Sequence, residues 1–148
     1  MKVVSPNFKL KYGLTVEEIE TRLKKLIRYS EPNNEENTLF IWPEGVFSGL
    51  NYDQMKKFEK EFSINFKKNH YILFGINRFN KDKTRYYNSL IIVNNRLKVI
   101  QEYNKQKLVP FGEFLPLENI LNKFGLKKIT EGHVSFLSGK DNKSLNIL

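Results

Sequence analysis

Two short strings in this 148-residue chain hold side chains whose types and spacing could do chemistry. In Phe40-Ile-Trp-Pro-Glu44-Gly-Val-Phe-Ser-Gly49 a carboxylate stands just past a run that is apolar on consecutive positions. That is the pattern of a strand covered on both faces, and ligands of layered α/β proteins collect at the carboxyl ends of such strands. With Trp42 and Phe47 beside it, Glu44 is expected to have its charged form disfavoured, which lifts a carboxyl toward the range of a general base. The other reading of Glu44 is a solvated glutamate in a turn. The second string, Tyr103-Asn-Lys105-Gln-Lys107-Leu-Val-Pro110-Phe-Gly112-Glu113-Phe-Leu-Pro116, is a strand exit stiffened by two prolines. There Lys105 could hold a developing oxyanion as a point charge and Glu113 could keep it charged and oriented. A plain surface ion pair is the alternative.

The elements that must position these groups follow from periodicity. Lys2 to Ser5 reads as a short strand broken by Pro6, and Asn7 to Gly13 as a loop. Thr15 and Glu18 form a capping box, with Val16, Ile19, Leu23, Leu26 and Ile27 on one helical face, so a helix is predicted to run to about Tyr29. Thr38 to Trp42 is the buried strand, stopped by Pro43. A second helix is predicted from Asp53 to Phe62, and a strand from Tyr71 to Arg78. Arg85 to Val93 and Arg96 to Tyr103 read as a hairpin, its turn at Asn94-Asn95 because asparagine tolerates positive φ. The order predicts an α/β layered domain with a mixed sheet.

Composition sets the outer bounds. The length suits one domain, residues 1–148, and 40% hydrophobic residues exclude disorder over the whole chain. Lys and Arg outnumber Asp and Glu by 25 to 16, a net +9 that suggests an anionic partner, either nucleic acid or a phospholipid surface. The lysines are dispersed and no nucleic-acid motif occurs, which ranks a basic binding protein low. Apolar runs such as Leu90-Ile-Ile-Val93 are too short to cross a bilayer, and no secretory signal begins the chain. There is no cysteine, so the chain itself offers no thiol nucleophile, disulfide or thiolate metal site. His70 and His133 are isolated, with no second ligand at metal spacing. Leu117, Ile120, Leu121 and Phe124 recur at helical spacing beside Lys123, Lys127 and Lys128, as either core packing or an arm on an anionic membrane.

Taken together, the two strings resemble the carbon–nitrogen hydrolase, or nitrilase, superfamily, and within it the apolipoprotein N-acyltransferases. Trp42-Pro43-Glu44 is similar to the family's W-P-E motif, and Tyr103, Lys105, Leu108, Val109, Pro110, Phe111, Gly112 and Glu113 match its Y-x-K-x-x-L-V-P-F-G-E. The resemblance extends to Val3-Val-Ser-Pro-Asn7, like the first strand of the family, and to Tyr87-Asn88-Ser89, like its Y-N-S strand, where a structural duty is expected. It implies a nitrilase-like α-β-β-α layered domain, truncated at its C-terminal side. It also implies Glu44 as general base, Lys105 as oxyanion stabiliser and Glu113 as a further active-site glutamate. Trp42 is expected at the substrate, as is Tyr12, which falls where the family often has Trp.

The family's nucleophilic cysteine is missing, so the chain reads as a fragment cut before it, with Ser144 to Leu148 as the start of the strand that would deliver it, and separate from the membrane-spanning helices. The implied activity of the complete enzyme is transfer of an acyl chain from a phospholipid to the amine of a lipoprotein, through a cysteine thioester and with no cofactor. Its implied location is the periplasmic face of a bacterial inner membrane. A soluble amidase of the same fold is the alternative.

Overall fold

The computed structural model describes residues 1–11, 13–114, 116 and 135–140. Five strands form one sheet in the order β1-β2-β3-β4-β5: β1 (Lys2–Val3), β2 (Thr38–Ile41), β3 (His70–Phe79), β4 (Tyr86–Asn94) and β5 (Val99–Asn104). β1, β2 and β3 run parallel, and β3, β4 and β5 form an antiparallel meander. The mixed sheet is the predicted one. Of the four layers expected, the described residues supply one sheet and the helices on one of its faces.

Alternation along β3 separates those faces. His70, Ile72, Phe74 and Ile76 are buried, and the residues opposite them on β4 include Val93, Ile91 and Ser89. The apolar ones among them meet Ile19, Leu23 and Leu26 of α1 (Val16–Ser30) together with Met55, Phe58, Phe62 and Phe66 in a single core. The residues between them, Leu73, Gly75 and Asn77 on β3 with Ile92, Leu90 and Asn88 on β4, take the other face.

α1 starts with the predicted capping box. Thr15 Oγ1 accepts from the Glu18 N–H, and the Glu18 carboxylate accepts from the Thr15 N–H at 3.0 Å. The second helix differs from the prediction. It is broken into α2 (Tyr52–Met55), a 3₁₀ turn (Lys56–Phe58) and α3 (Glu59–Asn65). A further box, in which Asn51 caps Gln54 and Gln54 caps Asn51, starts α2 one residue before the predicted position. Burying Tyr52, Met55, Phe58 and Phe62 together needs spacings of three, three and four, which the tighter 3₁₀ turn accommodates.

The hairpin also differs in detail. Positive φ falls on Leu97, at 52°, and not on the paired asparagines. Asn94 Oδ1 accepts from the N–H groups of Arg96 and Lys98, closing an Asx turn, while Asn95 reaches away to donate to the Phe66 carbonyl at 3.3 Å. Leu97 bears the left-handed conformation because its side chain is buried in the core and its carbonyl accepts from the Tyr52 hydroxyl at 2.5 Å. Burial pushes the Tyr52 phenol above its ordinary value, partly opposed by Arg78, so it stays a donor.

Candidate active site

The strand directions bring the chemical strings to one end of the sheet. β1, β2, β3 and β5 finish there and β4 begins there. Glu44 lies three residues past β2, and Lys105 immediately follows β5. A row of residues crosses this end: Asn51 bridges Asn77, Asn77 pairs with Asn88, and the Lys105 N–H donates to the Asn88 carbonyl at 2.8 Å. The loop carrying Glu44 therefore abuts one side of the β3–β4 pair, and Lys105 the other. Two to three strand spacings make that separation roughly 10–15 Å along the sheet, and the strands between present Asn77 and Asn88.

Lys105 and Glu113 come together as expected. Lys105 Nζ is 3.0 Å from Glu113 Oε1, with 35% and 15% of the two side chains exposed. The same oxygen accepts from Asn88 Nδ2 at 2.8 Å, and Oε2 accepts from the Val109 N–H at 2.8 Å. Burial alone would push the Glu113 carboxyl up, but the Val109 amide, Lys105 and Asn88 together outweigh it and hold the group below its ordinary value. A half-buried ammonium is thus fixed by a carboxylate that is itself fixed from two other directions. This is more constrained than an exposed ion pair.

The loop that makes this possible turns back on itself. The Glu113 N–H donates to the Val109 carbonyl at 2.8 Å and the Phe111 N–H to the Phe114 carbonyl at 2.7 Å, with Phe111 left-handed at φ 61°. Residues 135–140 then lie against it: the N–H groups of Phe136, Leu137 and Gly139 donate to the carbonyls of Glu113, Tyr86 and Lys105. A Cβ on Gly139 would stand 2.2 Å from the Asn104 carbonyl oxygen, so only glycine permits this approach to the backbone that carries Lys105.

Glu44 is placed differently from its expected environment. Its side chain is exposed, and the apolar enclosure read from Trp42 and Phe47 is absent because both rings turn into the helix-side core. Trp42, expected at the substrate, retains 2% of its surface. It packs against Phe47, Phe62, Phe66 and Phe74 and donates its indole N–H to Ser30 Oγ at 3.0 Å. It anchors the strand end below Glu44 and has no face left for a ligand. Tyr12 lies outside the described residues, as do Leu117, Ile120, Leu121, Phe124, His133 and Ser144 to Leu148.

Arg22, which no sequence pattern singles out, holds the Glu44 loop. Its Nη1 donates to the Val46 carbonyl at 3.1 Å and its Nη2 to the Lys9 carbonyl at 2.8 Å, over the Phe8 ring. Gly45, at φ 70°, supplies the left-handed turn directly after Glu44. His70 has a structural place. It is fully buried, its Nδ1 accepts from the Lys67 N–H at 3.1 Å, and Nε2 lies 2.8 Å from the Asn33 carbonyl, which assigns the proton to Nε2. Among the described residues no group of three His, Asp or Glu side chains could hold a metal ion, and no helix is long and apolar enough to cross a membrane.

Comparison with known proteins gives this geometry a context. An apolipoprotein N-acyltransferase of Rhizobium leguminosarum bv. trifolii is 28% identical over 116 residues, covering 76% of this chain and 22% of that protein. One from Sinorhizobium fredii is 39% identical over 61 residues, 41% of this chain and 12% of that protein. The chain therefore spans about a fifth or less of the length of these curated relatives. No family model matches it. Among solved structures, the glutamine-dependent NAD+ synthetase of Acinetobacter baumannii superposes with a TM-score of 0.59 at 20% identity, over 99% of this chain and 25% of that one, a likeness of fold.

Proposed function

We propose that this chain, similar in sequence to apolipoprotein N-acyltransferases, is part of a carbon–nitrogen hydrolase and supplies the base and the oxyanion-stabilising group of an N-acyltransferase. The substrates are a phospholipid acyl donor and the free amine of a lipoprotein, handled at the periplasmic face of a bacterial inner membrane. The observation that carries this reading is the fixed ammonium of Lys105, pinned by Glu113 at the sheet end that also bears Glu44.

The nucleophile is a cysteine, of which this sequence has none, contributed by polypeptide outside it. Glu44 takes the thiol proton as the sulfur attacks the ester carbonyl. Lys105 faces the oxygen on which negative charge develops, and Glu113 keeps that ammonium charged and in place. The tetrahedral adduct collapses with cleavage of the C–O bond, Glu44 returns the proton to the departing lysophospholipid oxygen, and a thioester remains. The lipoprotein amine then attacks the thioester carbonyl, the C–S bond breaks, and Glu44 removes the proton from the nitrogen that becomes the amide. The exposure of Glu44 leaves it open to both substrates.

In the complete gene product, Glu44→Gln and Lys105→Met should each abolish acyl transfer from phospholipid to a diacylglyceryl peptide, while far-UV circular dichroism stays unchanged. Retained turnover in either variant would overturn the role given to that residue. Release of ammonia from small amides by the wild type, without acyl transfer, would instead favour the amidase.

A further inference from the structure

The two sides of the candidate site are held in place by different means. Lys105 is fixed through its side chain, by the Glu113 carboxylate. The Glu44 side chain is exposed, and among the described residues no group hydrogen-bonds to its carboxylate. Its position is therefore inherited from the backbone that carries it. That backbone is secured on one side by buried Trp42, whose N–H donates to the Leu73 carbonyl at 2.9 Å, and on the other by the buried side chains of Val46 and Phe47. Between these anchors stand Pro43, Glu44 and Gly45. Proline has no N–H to donate, and Gly45, left-handed at φ 70°, has no side chain to resist rotation of the peptide units beside it.

Arg22 supplies the missing restraint from outside the loop. Its Nη1 donates to the Val46 carbonyl at 3.1 Å and its Nη2 to the Lys9 carbonyl at 2.8 Å, so one planar fork engages two separate loops. The Phe8 ring, 4.9 Å from Cζ, gives the guanidinium a face to lie on. Leu10 closes the arrangement: its Cδ1 stands 4.0 Å from where a Cβ on Gly45 would be. The guanidinium is presented by α1, which is itself seated in the core through Ile19, Leu23 and Leu26. We propose that Arg22 is a positioning residue for the general base, which sets the direction of the Glu44 carboxylate by clamping the Val46 carbonyl to the Lys9 segment. The clamp stands on the geometry, and its catalytic consequence rests on the reading of Glu44 as base. A base displaced by about 1 Å loses on the order of a hundredfold in rate. Because Glu44 serves both half-reactions, loosening it must slow both, whereas loss of a contact to one substrate would slow only one.

Two variants test this. Arg22→Met keeps an apolar stem against Phe8 and removes every donor, and Arg22→Lys keeps a cation that can reach one carbonyl but not both. In the 148-residue chain, amide relaxation should show the backbone order parameters of Glu44, Gly45 and Val46 falling from about 0.85 to below about 0.6 in Arg22→Met, with Arg22→Lys between and α1 unchanged. In the complete gene product, thioester formation, read by intact mass, and its discharge to a diacylglyceryl peptide should both slow by roughly tenfold or more in Arg22→Met. The KM of either substrate should stay within about twofold, and Arg22→Lys should recover part of the rate. Unchanged order parameters in Arg22→Met overturn the clamp. Slowing of one half-reaction alone, or a rise in KM with kcat unchanged, overturns the positioning role and makes Arg22 a substrate contact. Should Arg22→Met lose its near-UV circular dichroism, Arg22→Lys decides by the same measurements. A loosened loop alongside a wild type that transfers no acyl chain supports the clamp and counts against the enzyme reading alone.

Discussion

Glu113 is the residue on which most of the candidate site's geometry depends. Its two oxygens receive Lys105, Asn88 and the Val109 amide. Its carboxyl is held below the ordinary value near 4.5, so it binds fewer protons folded than unfolded through that region. The stability it contributes is therefore complete above about pH 4.5 and is lost as the pH falls through the lowered native value. Glu113→Gln should cost about 1–3 kcal/mol at pH 7, the scale of a hydrogen bond to a charged group, and flatten the dependence of stability on pH below 5. Urea denaturation at a series of pH values reads both effects. His70 makes a second prediction at this scale: His70→Ala leaves the Asn33 carbonyl and the Lys67 amide unpaired beside a hole between Phe40 and Phe66. A loss of roughly 2–4 kcal/mol is expected, visible as a drop in Tm of several degrees. Lys105, Glu113 and Glu44 stand out as candidates in the sequence because each sits in a contiguous string, and the Lys105–Glu113 pairing followed, whereas the apolar surroundings expected of Glu44 did not. The positions of Arg22, Asn88 and Arg85 could not be read there, since their partners lie 24, 25 and 50 residues away.

At the scale of elements, the segment 135–140 does for Lys105 from the backbone what Glu113 does from the side chain. Gly139 stands against Asn104 with no room for a Cβ. Gly139→Ala must push this segment or the end of β5 aside, and because neither is a flexible side chain the displacement reaches Lys105 directly. The expected result is a Glu113 carboxyl whose value, followed by carbon-detected NMR, moves up toward 4.5 as its ammonium partner is displaced, with the core resonances of α1 unchanged. An unaltered Glu113 titration would show that the segment does not position the lysine. The elements themselves were legible to the extent that their signals were local. The capping box of α1 and the doubly covered strand β2 matched expectation. The broken second helix and the left-handed Leu97 did not, because both answer to tertiary burial, of Tyr52, Met55, Phe58 and Phe62 in one case and of Leu97 in the other. Trp42 misled for the same reason: proximity to Glu44 in sequence says nothing about which face of β2 a ring takes.

For the whole molecule, the helix-covered face and the face bearing the site divide the labour. Aromatic contacts concentrate on the first, where Trp42 alone meets four phenylalanine rings. The second carries Asn77, Asn88 and Lys105 in one row. Lys105→Met, which leaves Glu113 its bonds to Asn88 and Val109, should accordingly cost no more than the roughly 1–3 kcal/mol of Glu113→Gln, whereas Phe62→Ala or Phe74→Ala should cost roughly 3–5 kcal/mol. A comparison of chemical denaturation midpoints checks the division.

The change of strand direction at β3 has a bearing on how the protein reaches its native state. The β3–β4–β5 meander joins neighbours close in sequence, while β2 reaches β3 only across the crossover that carries α2 and α3, and β1 reaches β2 only across the one that carries α1, at a greater loop-closure cost. Pulse-labelled hydrogen exchange during refolding should thus find amides of β4 and β5 protected before those of β1 and β2. Chemistry would then be switched on last: the ammonium's seat is ready early, and the proton acceptor arrives only when the amino-terminal half closes.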